Sequence, residues 1–203
     1  MGQVTISTKL GKYIYNTCLS DTTIKTVVDI GTWDGRGTTE CAIRGLADSG
    51  RPNIKLISFE TNKQFYDLAV GSWNLSGLPP WATLIHGRLI GEGDLDGENL
   101  AGSEHEWIAE DRKWYDTCPL VVSTLPDHID LAVLDGGEFS TKGEFLLLES
   151  RTRMFVLDDT TSRKCRWIRE YVLSSPQKYH VLFDDQAERN GTMAFERINN
   201  DKI

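Results

Sequence analysis

Two features of the chain have the residue types and spacing for chemistry: a glycine-bearing turn followed by an acidic strand end, and three carboxylates at two later strand ends. The turn is Gly31-Thr32-Trp33-Asp34-Gly35-Arg36-Gly37, directly after the β-branched run Thr26-Val27-Val28-Asp29-Ile30. Glycines there let backbone approach a ligand without a Cβ clash. In an open parallel sheet the first strand-to-helix turn borders the crevice where ligands bind. Glu60 ends the next apolar run, Ile54 to Phe59. A carboxylate in that place can accept hydrogen bonds from both ribose hydroxyls of an adenosine. The plainer alternative is a solvated carboxylate, or one that caps the helix opening near Asn62.

The later carboxylates are Asp135, after Ile129-Asp130-Leu131-Ala132-Val133-Leu134, and Asp158-Asp159, after Met154-Phe155-Val156-Leu157. Neighbouring strands lie about 4.8 Å apart, so the three groups can converge. Converging carboxylates repel unless protons or a cation neutralise them, and all-oxygen ligation suits Mg²⁺, Ca²⁺ or Mn²⁺. Asp135, Asp158 and Asp159 are therefore the candidate metal ligands, and a metal-bound hydroxyl gives up its proton more easily. Alternatively Asp159 caps the next helix while Asp158 only lines the pocket. Glu138 is a candidate general base if its surroundings raise its pKa; otherwise it is a solvated loop carboxylate. His86, His105, His128 and His180 are scattered, and Trp33, Trp107 and Trp114 suit either stacking on an acceptor or packing.

These residues need a scaffold, and the pattern supplies one. Strand, turn and helix follow one another from Thr26 to Gly50, then again from Ile54 through a helix opening at Asn62 to the Gly77-Leu78-Pro79-Pro80 breaker, with a third strand over Ala82 to His86. The alternation resumes with strands at 129–135 and 154–159, a helix from Lys142 to Glu149, and one from Ser162 to about Leu173 capped by Thr160 or Thr161. This reads as a parallel sheet with helices on both faces. Tyr179 to Phe183 and Thr192 to Glu196 then form two strands with no helix between them, joined through Asn190-Gly191, so the last strand is antiparallel. Between Arg88 and Pro126 the periodicity fails. That stretch is read as an insertion or lid over the active edge, with a helix over Glu104 to Tyr115.

The 203 residues are expected to form one domain. A net charge of −8 and a pI near 5.0 argue against nucleic acid and anionic membrane as partners. A small-molecule acceptor that is neutral, cationic or sugar-like fits better, and homo-oligomer formation is left open. Cys18, Cys41, Cys118 and Cys165 lack zinc-site spacing and read as reduced thiols of a cytoplasmic protein. The start of the chain, Met1 to Lys12, carries no signal-peptide or membrane-span pattern, and Ile6 stands where myristoylation at Gly2 would want Ser or Thr.

In order along the chain, Val27 to Thr39, Ile57-Ser58-Phe59-Glu60 and Asp130 to Gly136 resemble the motifs of class I S-adenosylmethionine-dependent methyltransferases, in particular the small O-methyltransferase-like group. The terminal hairpin matches that group's antiparallel last strand, and the resemblance runs from about Val27 to Ile198. It implies a Rossmann-like three-layer α/β sandwich with a mostly parallel seven-stranded sheet. It further implies that Gly31, Thr32 and Gly35 surround the methionine part of S-adenosylmethionine. Asp29 lies under the turn or reaches the ammonium, Glu60 takes the ribose, and Thr61 with Arg88 lies by the adenine. Asp135 borders the cofactor and, with Glu138 and Asp158, is expected to carry catalysis; in metal-dependent members, residues at these strand ends hold a divalent cation. Two positions depart from the group: Gly137-Glu138 replaces the usual histidine after Asp-Gly, and Arg151-Thr152-Arg153 replaces Pro-Gly-Gly. The expected reaction is methyl transfer to a hydroxyl of a sugar-like or natural-product-like molecule. Alternatives are N-methylation and a noncatalytic adenosine-binding protein. A nicotinamide dehydrogenase is disfavoured by the missing GxGxxG and by the hairpin.

Overall fold

A computed structural model describes residues 4–198; Gly2, the position weighed for myristoylation, lies outside the described residues. Seven strands form one sheet: β1 Thr26–Ile30, β2 Lys55–Glu60, β3 Ala82–His86, β4 Ile129–Leu134, β5 Thr152–Asp158, β6 Tyr179–Asp185 and β7 Thr192–Arg197. Their order is β3-β2-β1-β4-β5-β7-β6. Among the described strands β7 runs against the direction of the other six, antiparallel to both β5 and β6. Strand order reverses between β1 and β4, whose parallel pairing sets Ile30 opposite Leu134. The glycine turn and Asp135 therefore emerge side by side at the carboxyl edge.

Six helices cover the sheet: α1 Lys9–Ser20, α2 Thr38–Asp48, α3 Lys63–Ser76, α4 Glu104–Thr117, α5 Thr141–Leu148 and α6 Arg163–Leu173. Alternating strand side chains divide the apolar core into two layers. Val28, Ile30, Ala132, Leu134, Phe155 and Leu157 pack with Phe145 and Leu148 of α5 and Cys165, Ile168 and Val172 of α6. Val27, Leu131, Val133 and Val156 face the opposite way, onto Leu10, Ile14 and Cys18 of α1 and Cys41 to Leu46 of α2.

Helix α1 has no counterpart among the elements read from the sequence. Thr8 caps it by accepting from the Gly11 amide, and its apolar residues recur at Leu10, Ile14 and Cys18. The cap of α6 is Ser162, not Thr160 or Thr161; its hydroxyl accepts from the Lys164 amide at 3.2 Å. Both threonines instead tie the β6–β7 loop down, donating their amides to Gly191 and Asn190 carbonyls. That connection runs from Gln186 to Gly191, longer than a two-residue hairpin. The 88–126 segment contains α4, which builds a small core of its own with Ile90, Leu95, Ile108, Tyr115 and Phe139. No helix among the described residues is long and apolar enough to cross a membrane. All four cysteines are free and buried.

Helices α1 and α2 meet through Gly45, where an added Cβ would lie 2.4 Å from the Tyr15 carbonyl oxygen and 2.8 Å from Cys18 Cβ. Helix propensity alone favours alanine over glycine by about 1 kcal/mol. The clash outweighs it, since overpacking costs typically ~1–3 kcal/mol. Gly45→Ala is expected to lower stability in urea unfolding, and a gain would mean that α1 does not dock on α2 this closely.

Candidate active site

The carboxyl edge opens into a cavity of about 580 Å³ lined by Gly31, Thr32, Trp33, Glu60, Thr61, Gly87, Asp135, Asp159, Lys164 and the inner face of α4. That volume lies within the usual range for small-molecule sites. One end is built on a buried carboxylate. Asp29 is fully buried in β1 and accepts from the hydroxyls of Thr38 at 2.9 Å, Thr39 at 2.6 Å and Ser58 at 2.6 Å. Burial pushes its pKa up to about 6 in spite of the three donors. These bonds fasten the first turn of α2 and the middle of β2 to β1. Asp29 lies under the turn and is not among the residues lining the cavity.

Glu60 holds the turn from the other side. Its Oε2 accepts from the Trp33 amide at 2.7 Å and its Oε1 from the Asn62 amide at 2.8 Å. The capping of α3 is done by the Asn62 side chain, which leaves Glu60 facing the cavity. Burial raises its pKa, against the pull of the two amides. Trp33 sits at φ +48 and Asp159 at φ +59, left-handed conformations that cost a non-glycine residue energy. Both line the cavity. Gly31, at φ +96, is required by backbone: an added Cβ would lie 2.1 Å from the Asp135 carbonyl oxygen.

At the other end Asp135, Asp158 and Asp159 converge as expected, with one oxygen from each lying within 4.8 Å of the others. Their neutralisation comes from the chain itself. Lys164 Nζ lies 2.9 Å from Asp135 Oδ1 and 2.7 Å from Asp159 Oδ2. Arg189, delivered by the β6–β7 loop, lies 3.2 Å from Asp158 Oδ2 and 3.8 Å from Asp159 Oδ1. Asn190 donates to Asp159 Oδ1 at 3.0 Å. Burial and the two neighbouring carboxylates push Asp158 up to about 7, whereas Lys164, Asn190 and Arg189 hold Asp159 below the usual range despite burial. The two aspartates raise Lys164. As they stand, these residues do not fit a divalent cation: an ammonium takes the point between the two best-placed ligands.

Helix α4 forms the roof, with Trp107, Glu110, Asp111 and Trp114 on the face toward the cavity. Arg163 pins it by pairing with Glu104 at 3.0 Å and Asp96 at 3.4 Å, and by donating to the carbonyls of Glu98 and Asn99. Burial and the charges of Glu110 and Glu138 push Asp111 up to about 6.

Several expected site residues do not face the cavity. Gly35 makes room for the Trp73 indole, 2.6 Å from where its Cβ would be. Arg88 donates to the carbonyls of Cys118 and Ile90 and lies over the Tyr115 ring. Glu138 turns to the start of α6, accepting from the Lys164 amide and the Ser162 hydroxyl. Asp158 is 1% exposed and does not line the cavity. Of Asp135, Glu138 and Asp158, only Asp135 does.

The sequence reading passed over Lys164, Arg189, Asp111 and Glu144. Glu144, on α5, is buried against the cavity wall with its Oε2 unpartnered. Burial, with Glu60 and Asp111 adding, pushes it up to about 8. No signal in the chain marks these four as site residues; each reads as an ordinary polar position until the strands are paired.

No protein-family model matches the sequence, and no curated protein matches it. Solved structures do match the fold. A Podospora anserina methyltransferase, PaMTH1, bound to S-adenosylhomocysteine, aligns at TM-score 0.62 with 11% identity over 93% of this chain and 78% of that one. TomG, a Streptomyces achromogenes O-methyltransferase of tomaymycin synthesis in complex with S-adenosylmethionine, aligns at 0.62 with 12% identity over 97% and 82%. A Bacillus cereus O-methyltransferase with S-adenosylhomocysteine aligns at 0.59 with 13% identity over 95% and 82%. This is the class I S-adenosylmethionine-dependent methyltransferase fold. Within that fold the Asp29 network and Glu60 hold the first turn, and the Lys164 cluster closes the opposite end of the cavity.

Glu144 tests how dry the cavity wall is. Its folded pKa lies above the unfolded value, so between about 4.5 and about 8 the native state keeps a proton that the unfolded state releases. Stability from this group is full below that window and falls as pH rises through it. Glu144→Gln removes the dependence. Its stability advantage over the parent is expected to grow with pH across the window and level off above it. Urea unfolding as a function of pH reads this out, and a pH-independent difference would mean Glu144 is ionised and paired.

Proposed function

We propose that this chain transfers a methyl group from S-adenosylmethionine to a hydroxyl of a small molecule, sugar-like or natural-product-like in kind. The observation that carries the reading is Glu60: a buried carboxylate on the cavity wall, aligned by the Trp33 and Asn62 amides beside the first strand-to-helix turn. Each of its oxygens keeps a lone pair for one ribose hydroxyl. Three fold neighbours, described as complexes with S-adenosylmethionine or S-adenosylhomocysteine, support the same assignment.

When bound, the cofactor supplies an electrophilic methyl group on a sulfonium. Gly31 and Thr32 border its methionine end, Glu60 its ribose, and Thr61 with Gly87 its adenine, all of them residues of the cavity wall. Asp135 lies where cofactor and acceptor regions meet. Trp107 and Trp114 offer aromatic faces to the acceptor from the roof. Asp111, rather than Glu138, is the base in this reading, since it lines the cavity and its pKa near 6 suits proton removal at neutral pH. A roof that covers the acceptor also limits water around the reacting atoms.

A second reading, methylation of an amine, is favoured by that same roof. Glu110 and Asp111 beside Trp107 and Trp114 make an acidic, aromatic surface of the sort that attracts cations. A panel of hydroxyl and amine acceptors separates the two.

The cofactor assignment is tested by calorimetry with S-adenosylhomocysteine. Loss of hydrogen bonds to a carboxylate costs roughly 1.5–3 kcal/mol, so Glu60→Ala is expected to weaken binding about tenfold or more. Unchanged affinity would move the ribose to another part of the cavity.

A further inference from the structure

We infer that Lys164 is the built-in cation of this site: its ammonium takes the place a divalent metal ion would need between Asp135 and Asp159, so the site neither binds nor requires one. The inference deepens the methyl-transfer reading for the acceptor end of the cavity, and it stands on geometry independent of the cofactor end.

Four observations carry it. Lys164 Nζ is within hydrogen-bond distance of one oxygen from each aspartate, 2.9 Å and 2.7 Å, and its side chain is only 12% exposed. The lysine is held at its root as well as its tip, because its backbone amide is shared by the Ser162 hydroxyl and the Glu138 carboxylate in the first turn of α6. The remaining carboxylate, Asp158, is matched by Arg189, so two cationic groups already face three acidic ones. Asp159, at φ +59, is further fixed by Asn190, which aims its Oδ2 at Lys164 instead of leaving the carboxylate free to swing. Divalent cations bind carboxylate oxygens at about 2.0–2.6 Å and need most of the ligand shell. Such an ion could enter only by expelling a buried ammonium from two ion pairs, leaving that ammonium without a partner.

The substitution has a chemical use. An ammonium has three N–H donors, of which Asp135 and Asp159 take two. Lys164 lines the cavity, so the third is the donor for the acceptor's oxygen. A fixed donor there orients the hydroxyl and stabilises the negative charge that grows on oxygen as its proton leaves, the service otherwise given by a metal ion. Nζ is thereby a direct contact of the substrate, whereas Arg189 and Asn190 are positioning residues.

The test is Mn²⁺ binding followed by electron paramagnetic resonance of the free ion, with calorimetry of S-adenosylhomocysteine run on the same samples. The parent protein is expected to show no saturable Mn²⁺ binding, and its thermal unfolding should be the same in EDTA and in Mn²⁺. Lys164→Met removes the ammonium while keeping the side chain's bulk, and it should gain one Mn²⁺ equivalent that is lost again in Lys164→Met combined with Asp159→Asn. Saturable binding of one Mn²⁺ to the parent, abolished by Asp159→Asn, would overturn the inference. So would a folded Lys164→Met protein that takes up no Mn²⁺. Should that variant fail to fold, the parent's own titration decides. S-adenosylhomocysteine affinity of Glu60→Ala reports separately on the cofactor reading, because the Glu60 partners, the Trp33 and Asn62 amides, are not shared with Lys164, Asp135 or Asp159.

Discussion

Everything at the carboxyl edge depends on one constraint: carboxylates withdrawn from water must be neutralised or hydrogen-bonded where they stand. A parallel sheet sends the ends of its strands to the same edge, and in this chain three of those ends carry four acidic residues, Glu60 on β2, Asp135 after β4 and Asp158-Asp159 at the end of β5. Each is answered differently. Asp29, deeper in β1, is satisfied by three hydroxyls, Glu60 by two backbone amides and the Asp135–Asp159 pair by Lys164, while Asp158 has the charge of Arg189 beside it but no hydrogen bond, and its pKa is raised. Glu144 lacks a partner for one oxygen and keeps its proton instead. The chemistry available to the cavity is set by which answer lies where. In the proposed function the two amides leave Glu60 acceptor lone pairs for a ribose, the Lys164 ammonium keeps a donor, and Asp111 serves as the base.

How much of this could be read from the chain depends on the range of the interactions involved. The strands were legible because β-branched apolar runs bounded by glycine or acidic residues have few other uses, and their parallel arrangement followed from the alternation with helices, whereas their order in the sheet comes from the structure. Glu60 and the three aspartates were legible because strand ends are fixed once strands are. The helix α1 was missed because its apolar residues, Leu10, Ile14 and Cys18, sit in a polar background where the first of them is easily read as part of a loose terminus. Its Thr8 cap was the available signal. Lys164 was missed for another reason. Two residues into an amphipathic helix, a lysine normally faces solvent, and only the approach of α6 to the ends of β4 and β5 turns it inward. Glu138 errs in the opposite sense: it looked like the nearest base to Asp135, but the helix start beside it offered an amide and a hydroxyl.

The roof is the least regular part of the molecule. It builds a small apolar cluster around Phe139, closes its two ends on each other at the Arg88–Leu120 bridge, is anchored in the main core by Leu89 and Leu125, and is pinned by Arg163 with its tryptophans and acids over the cavity. Changing the acceptor surface therefore need not disturb the sheet. Function on a common scaffold is commonly varied in this way, in segments laid over strand ends rather than in the strands.

The antiparallel strand β7 lies between β5 and β6, so the strand that flanks β5 follows β6 in sequence and is the last of the described strands. Its connecting loop carries Arg189 and Asn190 to Asp158 and Asp159. During synthesis, when chains emerge and begin to fold from the amino-terminal side, the glycine turn, Glu60 and the Lys164 pairing can all form while this loop is still inside the ribosome. The acidic corner of β5 is then short of a cationic group, and β5 presents an open edge. Until β7 adds to it, that open edge is free to pair with other strands.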